Sequence, residues 1–192
     1  MIDLLRADSD VLKLVRRLHS DEGEEPLARA AWTVIAEPGD AVAGSLIDTL
    51  GAADALSIGV GDSSSLLPPG GASAAATRAI VDGRARWRPR ADPQAVVAAL
   101  RAAVAVGAQL VIPGDAAWPR AFADLGPHAP TALWVRGRTE LLDREPRVSI
   151  VGARASSAYG EHVAAELAGD LATTGAVIVS GGVYFLLATL CC

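Results

Sequence analysis

The residues with the clearest chemical capacity lie between Val148 and Gly182. Val148-Ser-Ile-Val-Gly-Ala-Arg154 reads as a buried strand that ends on a glycine two positions before an arginine. In open α/β sheets, ligands bind beyond the carboxyl ends of parallel strands. Gly152 has no Cβ to hold a phosphate away from the backbone, and Arg154 offers a planar, permanently charged fork. Ser156, Ser157 and the free N–H groups where a helix begins near Gly160 add donors, because a helix N-terminus favours anions. A second strand, Val177–Val179, delivers Ser180-Gly181-Gly182 to the same edge. Two glycine-bearing strand ends beside one helix N-terminus make an anion-binding crevice. The plainer alternative is that Arg154 pairs on the surface and the glycines serve only turns. A strand-Gly-x-Arg pattern alone does not decide between them.

Other chemistry is hard to assemble. His19, His128 and His162 are dispersed, with no carboxylate or cysteine at ligand spacing, so no metal site is expected. Cys191 and Cys192 are adjacent and terminal, which gives no disulfide framework. Asp115, after Gly114, reads as a turn residue. Trp32, Trp118 and Trp134 read as core anchors. No nucleophilic triad forms, and no cofactor is called for. Arg84, Arg86, Arg88 and Arg90 alternate with Ala85, Trp87 and Pro89. If extended, the segment puts four guanidinium groups on one side and makes Arg84, Arg86 and Arg88 candidate DNA contacts. If helical, the groups spread around the axis, and the segment is a connector whose Trp87 packs on the domain.

The elements that must position these residues follow from local signals. Val11, Leu14, Val15 and Leu18 recur at helical spacing, with Asp8 or Ser9 as cap. Further helices are expected over 27–36, 40–50 (Asp40 as N-cap, Gly51 just past the end) and 52–56. The Gly/Ser/Pro-rich stretch 59–73 reads as a loop, then a helix over 72–82 is broken by Gly83. Asp92-Pro93 starts a helix that runs to about Val106 and stops at Gly107. Short strands are expected at 109–112, 132–135, 148–151 and 177–180, with a loop at 152–159 and a helix at 160–173. Its apolar stripe would be Val163, Leu167 and Leu171, with Ala164, Ala165, Ala168 and Ala172 packing closely. The domains expected are a helical module at 1–58, a linker and helix at 59–91, and an α/β domain at 92–192.

Half of the 192 residues are apolar, enough to bury a core, and the net charge is −5, unlike a uniformly basic nucleic-acid binder. Charge is uneven, however. Residues 78–101 carry six arginines against Asp82 and Asp92, so a basic patch on an acidic protein remains open. No signal peptide opens the chain, and the longest apolar run, Val183–Cys192, is too short to span a bilayer. The location expected is cytoplasmic.

In order, the chain contains Pro-Gly-Asp-x-x-Trp-Pro (113–119), Pro-x-Ala-Leu-Trp-Val-Arg-Gly (130–137), Val-Ser-Ile-Val-Gly-Ala-Arg-x-x-Ser-x-Tyr-Gly (148–160) and Val-Ile-Val-Ser-Gly-Gly (177–182). This series resembles the bacterial DprA/Smf family of DNA-processing proteins. It covers about residues 28–182 and is strongest over 108–182. The resemblance implies a cytoplasmic, non-enzymatic mediator of natural transformation. Such a protein binds and protects incoming single-stranded DNA and helps load the RecA recombinase; a homodimer is implied for full-length relatives. It also implies a fold: a small helical N-terminal module, SAM-like or helix-hairpin-helix-like, followed by the first part of a Rossmann-like parallel-sheet domain. Gly152 and Arg154 would line the DNA-backbone pocket, with Ser180, Gly181 and Gly182 across from them.

After Ser-Gly-Gly the chain departs from the family pattern, reading Val-Tyr-Phe-Leu-Leu-Ala-Thr-Leu-Cys-Cys. The expectation is an incomplete Rossmann-like sheet in a C-terminally shortened product, with weaker DNA binding and a tendency to associate through an uncovered strand edge. One rival is a nucleoside-monophosphate phosphoribohydrolase of the LOG (lysine-decarboxylase-like) type, whose diagnostic glycine-rich motif and glutamate would lie beyond this chain's last residue. Another is a non-functional remnant.

Overall fold

The computed structural model describes residues 1–21, 23–61, 73–152 and 157–181. The chain divides into two compact units, Met1–Thr139 and Glu140–Cys192. The sequence reading set boundaries after residues 58 and 91. In the structure the helix after Asp92 and the two strands that follow belong to the first unit.

Among its described residues that unit is helical with one small antiparallel strand pair. Its helices are α1 (Ile2–Ala7), α2 (Ser9–Leu18), α3 (Glu24–Ile35), α4 (Ala41–Leu50), α5 (Ala52–Val60), α6 (Ala74–Trp87) and α7 (Pro93–Ala105). The caps fall where the side chains predict. Asp8, Asp40 and Asp92 each accept backbone N–H groups from the first turn of the helix they precede, satisfying donors that have no partner inside the helix. Gly51 ends α4 with φ 82°, a conformation a side chain resists. Helix α1 went unforeseen, since six residues carry too little periodicity to register.

The core gathers on α3. Leu27, Ala28, Ala31, Trp32 and Ile35 are all buried, and they meet Ala52, Ala55 and Leu56 of α5. A second seam joins Val11, Val15 and Leu18 of α2 to Val96 and Leu100 of α7. Each large side chain removed from water this way contributes about 1.5–3 kcal/mol. Trp32 and Trp87 pack edge to face with centroids 5.1 Å apart, and the Trp32 indole donates to the Ala52 carbonyl at 3.0 Å.

Two glycines make room for these rings, and both correct the sequence reading. Gly83, expected to break a helix, lies inside α6. A Cβ there would come within 2.6 Å of the Trp87 ring, which lies one turn further along the same helix. Gly59, expected in a loop, lies inside α5, where a Cβ would meet Trp32 at 2.9 Å. Their missing side chains serve tertiary packing rather than turns. Residues 62–72 of the expected loop lie outside the described residues.

Strands β1 (Gln109–Val111) and β2 (Leu133–Val135) pair antiparallel, with Leu110 opposite Trp134. The connection between them carries the Pro113-Gly114-Asp115 turn and a 3-10 segment, Arg120–His128, bent at Gly126 (φ 53°, ψ −133°). Trp134 donates to Thr33 Oγ1 at 3.2 Å. It is half-buried, as is Trp118, so of the three expected anchors only Trp32 is fully enclosed.

The second unit is a strand–helix–strand: β3 (Arg147–Ser149), α8 (Ala158–Thr173) and β4 (Val177–Val179). The two strands are parallel, with Val148 opposite Ile178, so the chain as a whole mixes helices with short sheets. Ala168 is buried on α8, whereas Val163 and Leu167 are 40% and 50% exposed. The close packing expected of the alanines is met at Ala168, with Ala164 and Ala165 half-buried and Ala172 exposed, while the larger residues of the stripe stay partly open.

Candidate nucleic-acid interface

The parallel register decides what the second unit can present. Ser149 pairs with Val179 on the last rung, and Ile150 N–H donates to the Val179 carbonyl at 2.9 Å. Both strands therefore end at the same edge. Val151-Gly152 leaves from β3 and Ser180-Gly181 from β4, side by side. Gly152 and Gly181 are exposed and Ser180 is half-exposed. A Cβ built on either glycine meets no described atom within 4 Å, and neither glycine has positive φ. Among the described residues, neither steric crowding nor backbone conformation requires glycine at these two positions.

The helix N-terminus differs in detail from expectation. Ser157 is the N-cap of α8, and its Oγ accepts from Gly160 N–H at 3.2 Å. The helix begins two residues earlier than expected, so Tyr159 lies in its first turn rather than in a loop, and Tyr159 is 77% exposed. One first-turn donor is thus engaged by the cap at the positive end of the helix dipole. Arg154, Ser156 and Gly182 lie outside the described residues, so the structure brings together Gly152, Ser180 and Gly181 of the six expected phosphate ligands.

The arginine run is not extended. Arg84 and Arg86 sit on α6, and Arg88–Arg90 form a 3-10 turn. Arg84 is 8% exposed and donates to the Gly61 carbonyl at 2.7 Å, where a cation complements the C-terminal end of α5. Arg86 donates to Asp40 at 3.0 Å, with its guanidinium 5.9 Å from the Trp87 ring centre. Arg90 pairs with Glu37, and Arg88 is exposed. The helical alternative read from the sequence describes this segment: Trp87 is fully packed, and Arg84 and Arg86 turn onto the protein.

Two polar centres were missed. Asp40, named only as a cap, also accepts from Trp87 Nε1 at 2.9 Å and from Arg86. Burial pushes its pKa up, but the hydrogen bonds from Trp87 and Arg86, the Ala43 N–H and the Arg86 charge outweigh this and hold the carboxyl below its ordinary value. The other is His19, 6% exposed at its side chain, whose Nε2 lies 3.1 Å from Asp115. Asp115 Oδ2 also accepts from Ile112 N–H at 2.8 Å, so the turn aspartate ties α2 to the end of β1. Among the described residues, no three histidines, cysteines or carboxylates gather as a metal site, and no helix is long and apolar enough to cross a membrane.

Residues 109–184 match the family model described as DNA recombination-mediator protein A. Two curated relatives named DNA processing protein DprA, from Mycobacterium tuberculosis strains CDC 1551 and H37Rv, are each 43% identical over 89 residues. The match takes in 41% of this chain and 23% of each relative, so the chain corresponds to about a quarter of their length. No solved structure matches it. The matched segment contains both strand pairs and both glycine-bearing strand ends. Over residues 109–184 the chain is similar to the DprA family.

Proposed function

We propose that this chain is a DNA-processing protein that grips single-stranded DNA by its backbone at the joined carboxyl ends of β3 and β4, without a catalytic step. The observation that carries the reading is the pair of glycines, Gly152 and Gly181, leaving adjacent parallel strands where the described part of the chain gives no reason for glycine. A backbone phosphate that must approach closely supplies one. Ser180 and Arg154 are the proposed polar and charged contacts, with Ser156 and Gly182 completing the set. Ser157 shapes the first turn of α8.

On this reading the second unit is the opening of a Rossmann-like sheet, since strand–helix–strand with parallel strands and a ligand edge at their carboxyl ends is that fold's repeating unit. The helices of the first unit correspond to a small SAM-like or helix-hairpin-helix-like module. The cellular role proposed is the one the family resemblance implies. In the cytoplasm, the protein protects transforming DNA and hands it to RecA. Arg86 and Arg84, engaged within the fold, are given no part in the grip, and Arg88 remains a peripheral contact.

Fluorescence anisotropy with a single-stranded oligonucleotide across a salt series tests the proposal. Backbone contact predicts affinity that falls linearly on a log–log plot, and Arg154→Ala lowers both affinity and slope. Folded, soluble protein that binds no single-stranded DNA at low salt would refute the reading and leave the chain a remnant of its family.

A further inference from the structure

The first unit contains a cavity of about 500 Å³ between α3, α4 and the β1–β2 connection, within the roughly 300–1,000 Å³ of small-molecule sites. Trp118 and Phe122 line it, packed edge to face at 5.3 Å. Trp118 is only half-buried, so part of its ring is open to a ligand. The walls are held by the backbone. A Cβ on Gly44 of α4 would lie 2.0 Å from the Pro127 carbonyl oxygen, so helix and connection meet without a side chain between them. Gly126 holds its bend at φ 53°, ψ −133°, which only glycine adopts readily. The cavity is therefore built into the packing rather than left by a loose loop.

Its charged lining residues are Arg29, Arg120 and Asp48. Arg29 is fixed in place. Its Nε donates to Glu25 at 2.6 Å and its Nη1 to the Thr131 carbonyl at 2.9 Å, and a guanidinium so held is ready to meet an anion without losing freedom.

We infer that this cavity accepts a nucleobase on the Trp118–Phe122 pair, with the attached phosphate towards Arg29 and Arg120. Aromatic side chains stack any base, because every base has a π face, and a nucleotide joins a flat ring to an anion. The ligand chemistry is the same whether it comes as a free nucleotide or as one residue of a single strand. The site lies in the first unit and stands independently of the strand ends in the second.

The 192-residue chain, ¹⁵N-labelled at its indoles, is titrated with deoxyadenosine monophosphate, a short oligodeoxyadenylate and deoxyribose 5-phosphate. Trp118→Phe assigns the Trp118 resonance, and the buried Trp32 resonance reports an intact fold. The expected result is a saturable shift of Trp118 with nucleotide or oligonucleotide and none with the sugar phosphate. Trp118→Leu should weaken binding about tenfold while Trp32 stays in place. A shift with the oligonucleotide alone supports the site with a strand as its source; a shift with the mononucleotide alone supports it with the free nucleotide. No Trp118 shift with either, or an equal shift with the sugar phosphate, overturns it. Oligonucleotide binding that leaves Trp118 unmoved also overturns it, while leaving the grip at β3 and β4 standing.

Discussion

Trp87 Nε1 donates to Asp40 Oδ2 at 2.9 Å, while Asp40 Oδ1 accepts from Val42 and Ala43 N–H at 3.0 and 3.2 Å. One carboxylate thus caps α4 and anchors the end of α6. Asp40→Ala removes the cap and leaves a buried indole N–H without its partner. The expected loss is about 2–4 kcal/mol, read as a lower urea midpoint. Asp40→Asn keeps a good capping group and should lose less. A loss under about 0.5 kcal/mol for the alanine variant, the scale of an ordinary surface change, would sink the assignment.

The same carboxylate predicts an acid limb. Its folded pKa is depressed below the ordinary 3.8, so its contribution is present above the unfolded value and is lost as pH falls through the folded one. Stability attributable to Asp40 should be level from neutral pH down to about pH 5 and decline below about pH 4. Urea melts across that range, with Asp40→Asn beside the parent, should show a shallower decline in the variant. Parallel curves would mean that other carboxylates govern acid unfolding.

Two helical glycines should respond to alanine with opposite signs. Gly44→Ala gains helix propensity of about 1 kcal/mol but drives a Cβ into the Pro127 carbonyl. Backbone yields poorly, so a net loss of about 1–3 kcal/mol is expected. Gly169 of α8 has no described neighbour within 4 Å of its Cβ position, and Gly169→Ala should raise stability by about 0.5–1 kcal/mol. Thermal melts of the two variants with the same sign of shift would contradict this.

His19 Nδ1 accepts from Asp21 N–H at 3.0 Å, which leaves Nε2 to donate to Asp115. A double-mutant cycle with His19→Ala and Asp115→Asn should return a coupling of about 0.5–3 kcal/mol. Additive losses would show that α2 and the β1 turn are held by packing alone.

The sequence by itself determined the parts of this protein that depend on a few neighbouring residues. Asp8, Asp40 and Asp92 cap their helices because a short oxygen-bearing side chain reaches N–H groups two and three residues on. Gly51, Gly107 and Gly175 adopt positive φ at the ends of periodic runs. The β3–α8–β4 order, with a glycine after each strand, was legible for the same reason. The tertiary structure alone decided what each exposed-looking or turn-like residue does. Gly83 and Gly59 have no positive φ; their lack of a Cβ answers to tryptophan rings, and a glycine's letter does not say which need it meets. Arg84 and Arg86 look like a free basic run until α6 turns them onto the Gly61 carbonyl and Asp40. His19 and Asp115 are 96 positions apart, and no local pattern encodes a pair that exists only once α2 packs beside β1. Periodicity placed Val163 and Leu167 on one helical face with alanines beside it, and only the packing shows that Ala168 is the buried position. Local backbone chemistry is written residue by residue, whereas contact between distant segments is a property of the path the whole chain takes.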